Sequence, residues 1–311
     1  MKIPPQLVLV LGIIAVSTAS PLIRFAQVEA ASLVVATYRL ALSGLILLPL
    51  AIPRHNAELR RLTRAELALA AFSGVLLALH FATWILSLEY TSVASSVVLV
   101  TTNPLWVALL APWFLKERLA PAFLVGLPVA LAGATIVAIS DSCVQAAVGL
   151  ACPPLAEFVQ GGAFWGDMLA LMGAWTGAGY ILIGRRLRPH LSLTPYIFVV
   201  YGMAALVLLS MVVVAGLPIF GFSSEIYFYL LLLALVPQLL GHSSFNWALA
   251  HLPASYVSIA LLGEAVGSTV LAYFILGEAP GTLKTFGAAL ILGGILFATL
   301  SPAFKRASVY N

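Results

Sequence analysis

NPLWVALLAPWFLKERLAPAFLVGLPVALAGATIVAIS, residues 103–140, and EAVGSTVLAYFILGEAPGTLKTFGAALILGGILFATLS, residues 264–301, are two versions of one pattern. At an offset of 161 positions they align without a gap, placing Leu115 on Leu276, Glu117 on Glu278, Gly126 on Gly287, Gly133 on Gly294 and Ser140 on Ser301. The same offset holds at the other end of the pattern, where Gly12 falls on Gly173 and Arg24 on Arg185. Isolated matches in Leu- and Gly-rich segments are cheap. A register kept from the first apolar run to the last is the mark of an internal duplication.

The apolar runs set the fold class. Hydrophobic residues are 62% of the 311 and charged residues 8%, against about 45–50% and about 25% in soluble domains, so a water-soluble globule is excluded. The runs are each near 20 residues, which fits spanning helices and not the short alternating strands of a barrel. They predict helices over 5–26, 31–52, 66–88, 92–114 and 121–140, then 163–183, 193–215, 225–249, 254–276 and 281–300. The expected architecture is an all-α membrane protein of ten transmembrane helices: a first repeat over 1–140, a linker over 141–162, a second repeat over 163–301 and a tail over 302–311. Five helices per repeat is an odd number, so the second repeat enters the membrane from the opposite face and the repeats are inverted. Inverted repeats are a recurrent transporter design, with a site at the repeat interface reached alternately from either side.

Charge fixes the expected orientation. Lys2, Arg54, Arg60, Arg61, Arg64, Lys116, Arg118, Arg185, Arg186, Arg188, Lys305 and Arg306 all fall on one side of the ten-helix reading, and only Lys284 is clearly on the other. The formal charge of +4 is therefore a topology signal rather than a nucleic-acid footprint. It predicts a multi-pass protein of the cytoplasmic (inner) membrane with both termini cytoplasmic and the linker outside. The opening MKIPPQLVLVLGIIAVSTAS also has the form of a signal peptide, but the repeat needs it as its first helix. Cys143 and Cys152 lie nine positions apart in the linker. An oxidising compartment favours a bridge between them; two unrelated thiols are the alternative.

Polar groups at membrane depth are costly unless paired or wet, so they mark candidate sites. Glu264 stands ten residues into helix 9, about 15 Å deep, near the midplane. It reads as a proton site or as the counter-charge for a cationic or zwitterionic substrate; a structural pair with Arg39 of helix 2 is the alternative. Helix 3 sets Ser73, His80, Trp84 and Ser87 along one stripe, and helix 8 spaces Gln238, His242 and Asn246 by four next to Pro237. In helix 4, Ser96, Asn103 and Trp106 share a face, and Asn103 is the repeat mate of Glu264. Each stripe is either cavity wall or bundle-internal packing. Pro104 marks helix 4 for an interruption, whereas helix 9 has Ala265 at the matching position. Gly173, Gly177, Tyr180 and Gly184 on helix 6 read as a packing face, with Trp175 on another side as a candidate cavity residue. The glycines of helices 5 and 10 permit a homodimer without demanding one.

Competing chemistries lack their parts. The chain has no Walker loop, no H-E-x-x-H and no G-x-S-x-G, and Gly166–Asp167 misses the Gly-x-Gly-Asp form of intramembrane aspartyl proteases. No enzyme activity, cofactor or metal is expected.

ATYRLALSGLILLPL (36–50), NPLWVALLAPWFLKERL (103–119) and LLGEAVGSTVLAYFILGEAPGTLKTFGAALILGG (261–294) resemble the paired EamA domains of the drug/metabolite transporter superfamily. The resemblance spans nearly the whole chain. It implies alternating access, a central cavity lined mainly by helices 1, 3, 4, 6, 8 and 9, and export of amino acids or related metabolites. A Glu-Pro pair is frequent in helix 9 of that family; here the carboxylate is present and the proline is not. The leading expectation is a secondary exporter of small amphiphilic metabolites, with proton coupling open. The alternatives are a carrier of nucleotide-linked or other anionic metabolites, and a membrane enzyme or receptor that uses His80 and His242.

Overall fold

The computed structural model describes residues 4–114, 121–145 and 150–300. Lys2, Leu115, Lys116, Glu117, Arg118, Ser301, Lys305 and Arg306, and the tail over 302–311, lie outside the described residues. The regular structure of the described residues is helical, apart from a two-residue antiparallel ladder in the linker that pairs Val144 with Ala151 and Gln145 with Leu150. Eight helices are long and apolar enough to cross a membrane, and two shorter apolar stretches, Leu124–Ser140 and Thr282–Phe297, complete the ten.

Helix 1 runs Pro5–Ser17 and Ala19–Ala26, helix 2 Ser32–Arg61, helix 3 Arg64–Tyr90, helix 4 Val93–Val100 and Asn103–Phe114, and helix 5 Pro121–Ser142. The second repeat has helix 6 at Gly162–Leu187, helix 7 at Leu193–Val214 and helix 8 as Ser224–Leu233, Ala234–His242 and Ser243–Ala248. Helix 9 is Ala254–Ala260 and Leu262–Leu276, and helix 10 is Thr282–Leu300. Helix 2 extends nine residues past the expected end, so Arg54, Arg60 and Arg61 stand on a helical extension rather than in a loop. A polar helical turn beyond the apolar zone is satisfied by water, so the end of hydrophobicity need not end the helix. The chain then turns through Thr63, which caps helix 3: its hydroxyl accepts from Glu66 N, and Glu66 in return accepts from Thr63 N.

In the linker, Cys143 and Cys152 are joined by a disulfide that closes the small ladder, and a short helix, Leu155–Gln160, leads into helix 6. On the same face, Ser223 N at the start of helix 8 donates to Glu29 Oε2 at 2.8 Å. That bond holds the Glu29 carboxyl below the usual carboxylate range.

The packing follows the duplication. Helix 3 lies along helix 6 as helix 8 lies along helix 1, and helices 2 and 7, which are repeat mates, pack on one another. Helices 5 and 10 form a second mated pair through their glycines. A Cβ at Gly133 would stand 2.6 Å from Gly287 O, and one at Gly294 would stand 2.8 Å from Gly126 O. These faces, which the sequence left open to a partner molecule, are used inside one chain. In a membrane, where apolar surface alone gives helices little reason to associate, close backbone approach supplies the packing energy. Gly133→Val is therefore expected to drive helices 5 and 10 apart and destabilise the protein by about 2 kcal/mol or more. A fall in the midpoint of thermal aggregation, read by size-exclusion of detergent-solubilised protein, checks this; an unchanged midpoint contradicts it.

Candidate functional site

Helices 4 and 9 are both interrupted, at mated positions. Helix 4 breaks after Val100, and helix 9 breaks at Leu261, the residue 161 positions on. In helix 4 the cause lies in the side chains and in Pro104. Thr101 Oγ1 donates to Val97 O at 2.8 Å and Thr102 Oγ1 to Leu99 O at 2.7 Å, and Pro104 has no N–H to continue the ladder. Helix 9 is interrupted without a proline, at the single residue Leu261 three positions before Glu264.

Each break starts a half-helix inside a span long and apolar enough to cross a membrane. Asn103 is the first residue of one, and Glu264 lies in the first turn of the other. The N-terminal end of a helix carries positive partial charge, which favours a carboxylate in that turn. In the second repeat, helix 8 widens over Ala234–His242 into turns with longer-range hydrogen bonds around Pro237, bringing His242 and Asn246 to the same region.

A narrow cavity lies between these interruptions. Helix 3 lines it with His80 and Trp84, helix 4 with Thr101 and Asn103, helix 6 with Gly177 and Tyr180, helix 8 with His242, Phe245 and Asn246, and helix 9 with Glu264. Helix 1 packs one layer behind, with Gly12 against Ser244 and Phe245 and Ser17 against Gly267. The space open to water centres is about 30 Å³, room for about two waters.

The wall combines fixed aromatic rings with incompletely paired polar atoms. His80 Nδ1 donates to Gly173 O at 2.8 Å; a carbonyl can only accept, so the bond sets which ring nitrogen carries the proton. The His80 ring stacks at 6.0 Å on Trp84 and lies 6.3 Å from His242. Asn246 Nδ2 donates to the Tyr180 hydroxyl and to His242 O at 3.0 Å. Among the described residues, Asn103 Oδ1, Asn246 Oδ1 and Trp84 Nε1 are buried without a hydrogen-bond partner. The buried Glu264 carboxyl likewise accepts no hydrogen bond from a described residue.

Arg39 and Glu264 are not in direct contact, but their charges lie close enough to attract one another through the protein. Its Nε donates to Gln238 Oε1 at 2.8 Å, and its guanidinium lies 4.2 Å from the centre of the Phe81 ring. One edge of the group is thus taken by an amide and one face by an aromatic ring, while Nη1 and Nη2 are buried and unpartnered.

The structure brings together six residues singled out from the sequence: His80, Trp84, Asn103, His242, Asn246 and Glu264. Three others lie elsewhere. Trp175 is 50% exposed on the outside of helix 6, edge-on to Trp106 at 5.1 Å, because its position faces away from the glycine stripe that seats helix 6. Ser96 is tied to Ser87 at 2.6 Å between helices 3 and 4, and Gln238 stands behind the wall holding Arg39. Sequence reasoning missed Gly177 and Tyr180 as lining residues, having assigned their stripe to packing. A Cβ at Gly177 would come within 2.9 Å of His80 Nδ1 and 3.0 Å of Asn103 Oδ1, so that glycine admits the polar wall as well as the neighbouring helix.

Ten membrane helices in two repeats, meeting at interrupted helices around a buried cavity of mixed apolar and polar lining, define a multi-pass membrane transporter. The chain belongs to the EamA-like transporter family, whose model matches residues 4–139 and again 164–300. An "Uncharacterized transporter" of Archaeoglobus fulgidus is 23% identical over 240 residues, 75% of each chain. Another of the same description, from Clostridium kluyveri, is 24% identical over 255 residues, 81% of this chain and 78% of its own. A solved crystal structure shares the fold with a TM-score of 0.64 at 18% identity, covering 95% of this chain and 96% of that one.

Proposed function

We propose that this transporter is a secondary carrier, of the exporter type, for small amphiphilic metabolites such as amino acids, and that it moves them across the cytoplasmic membrane by alternating access. The observation that carries the reading is Glu264, a buried carboxyl at the start of a half-helix, facing a cavity walled by His80, Trp84 and Tyr180, with the Arg39 charge attracting it from a distance but not touching it. A carboxylate at membrane depth needs a positive partner or a proton. An amino group of the substrate supplies the first, and coupling to a proton gradient supplies the second. Aromatic faces beside a carboxylate suit a cation that carries an apolar body. The carbonyl oxygens of Asn103 and Asn246 add acceptors for the same ammonium group.

The cavity is too narrow for an amino acid in this conformation, so admission requires the helices to part. Interruptions in helices 4 and 9, at mated positions of the two repeats, are where such movement is least resisted. An anionic substrate is less well served, because the buried cation Arg39 stands behind Phe81 rather than in the wall. The positive residues of the loops place both termini on the cytoplasmic side in this reading.

Counterflow in proteoliposomes tests the proposal. Protein loaded with unlabelled amino acids is expected to accumulate at least one labelled amino acid from a panel that also contains purines and nucleotide sugars. Exchange confined to the nucleotide sugars would replace this reading with the anionic one.

A further inference from the structure

Polar groups from both repeats meet on the face that carries the linker, where a Cβ at Gly166 of helix 6 would stand 3.0 Å from Thr91. Arg24, in the last turn of helix 1, places Nη2 3.3 Å from Glu278 Oε1 and donates to Thr91 O at 3.0 Å. The other oxygen of Glu278 accepts from Val93 N at 2.9 Å. Lys284 Nζ of helix 10 donates to Ser92 Oγ at 2.8 Å. Helix 9 ends at Gly277 in the left-handed conformation, φ 70°, a turn open to glycine at little cost, and this turn delivers Glu278 to the helix 4 terminus.

A carboxylate of the second repeat therefore caps a helix of the first. The capped piece, Val93–Val100, has eight residues and is about 12 Å long. Its far end is at the break in helix 4, where Val100 and Thr101 line the cavity. Whatever displaces one end of so short a rigid piece displaces the other. Three of these contacts, Arg24 with Glu278, Val93 with Glu278 and Lys284 with Ser92, join segments of different repeats that must separate if the repeats rock apart on this face, while the bond from Arg24 to Thr91 holds Arg24 in place within the first repeat. The side chains of Arg24 and Glu278 are 27% and 28% exposed, so water replaces the lost partners and the contacts are strong enough to hold yet able to break.

We propose that Arg24 and Glu278 form a latch closing the linker-face end of the cavity, which opens and recloses in each transport cycle, and that Glu278 is a positioning residue for the half-helix Val93–Val100. The proposal rests on the alternating-access reading above but not on the identity of the substrate.

Thiol accessibility tests it in the full chain. The two native cysteines are joined to each other, so Val100→Cys introduces the single free thiol. A charged, membrane-impermeant methanethiosulfonate is added to intact cells or inverted vesicles, with Glu157→Cys in the linker marking the side on which the reagent must act. Glu278→Gln and Arg24→Gln are each expected to raise the labelling rate of Val100→Cys from the linker face about tenfold, the scale of a partly exposed ion pair with its backbone hydrogen bonds. If both variants are monodisperse on size-exclusion and label at the parent rate, the latch is overturned. Because no substrate enters the assay, a wrong substrate assignment leaves its outcome unchanged.

Discussion

Glu264→Gln is expected to abolish amino-acid counterflow in proteoliposomes while leaving a folded, monodisperse protein. An ammonium held by a carboxylate inside a desolvated cavity loses about 2–5 kcal/mol when the carboxylate is neutralised, which is roughly thirtyfold or more in affinity. The amide has nearly the shape of the carboxyl and is less costly to bury, so the fold should not suffer. Glu264→Asp keeps the charge but withdraws it by one methylene, and should retain partial transport. If the carboxylate also carries the coupled proton, an imposed pH gradient will drive accumulation by the parent and not by Glu264→Gln. Undiminished counterflow in the amide variant would remove Glu264 from substrate recognition, and the proposed substrate class would lose its main support.

The features legible in the sequence are those set by composition and by duplication. Twenty-residue apolar runs can do little in a membrane except form helices, and the offset that pairs Gly133 with Gly294 also predicts two mated halves. The same register pairs Asn103 with Glu264, and both stand at the start of half-helices lining the cavity. The break in helix 9 was less visible, because no proline announces it. Helix 8 presented its stripe at a spacing of four, but the widened turns over Ala234–His242 put His242 and Asn246 on the cavity and left Gln238 behind. Side-chain periodicity reports which residues face inward, not how many layers lie between them and the centre.

The same ambiguity explains Trp175 and Tyr180. Both are on helix 6, a large aromatic residue suggests a wall, and a glycine stripe suggests packing. The stripe does both: Gly173 seats the helix against Val100 and Trp84, while Gly177, one turn on, leaves space that His80 and Asn103 approach. Tyr180 follows the stripe into the cavity, and Trp175 is turned outward. The latch was hidden for a further reason. Arg24 and Glu278 were each visible as a repeat match, but their matches lie in the opposite repeat, and nothing in an offset says that Arg24 meets Glu278 rather than its own mate.

The second large effect concerns Arg39 and separates structure from recognition. Gln238→Leu removes the hydrogen bond that Arg39 makes through Nε and leaves a fully buried guanidinium beside the Phe81 and Trp84 rings, with no hydrogen bond from a described residue to its side chain. Leaving a buried charge without its hydrogen-bond partner costs about 3 kcal/mol, whereas replacing both partners by apolar groups of similar shape can be nearly neutral. The single variant should therefore melt about 6 °C or more below the parent, and Arg39→Leu combined with Gln238→Leu should recover most of the loss. A double variant as unstable as the single one, or less stable, would mean that the attraction between Arg39 and Glu264 and the contact with the Trp84 ring contribute more than the bond to Gln238. The stable double variant then answers the functional question by counterflow. Retained transport makes Arg39 a packing element whose charge is not needed in the cycle. A stable protein without transport makes the buried, unpartnered Nη1 and Nη2 groups the receptor for a substrate carboxylate, reached when Phe81 and the neighbouring helices shift, and Glu264 and Arg39 would then hold the two ends of a zwitterion.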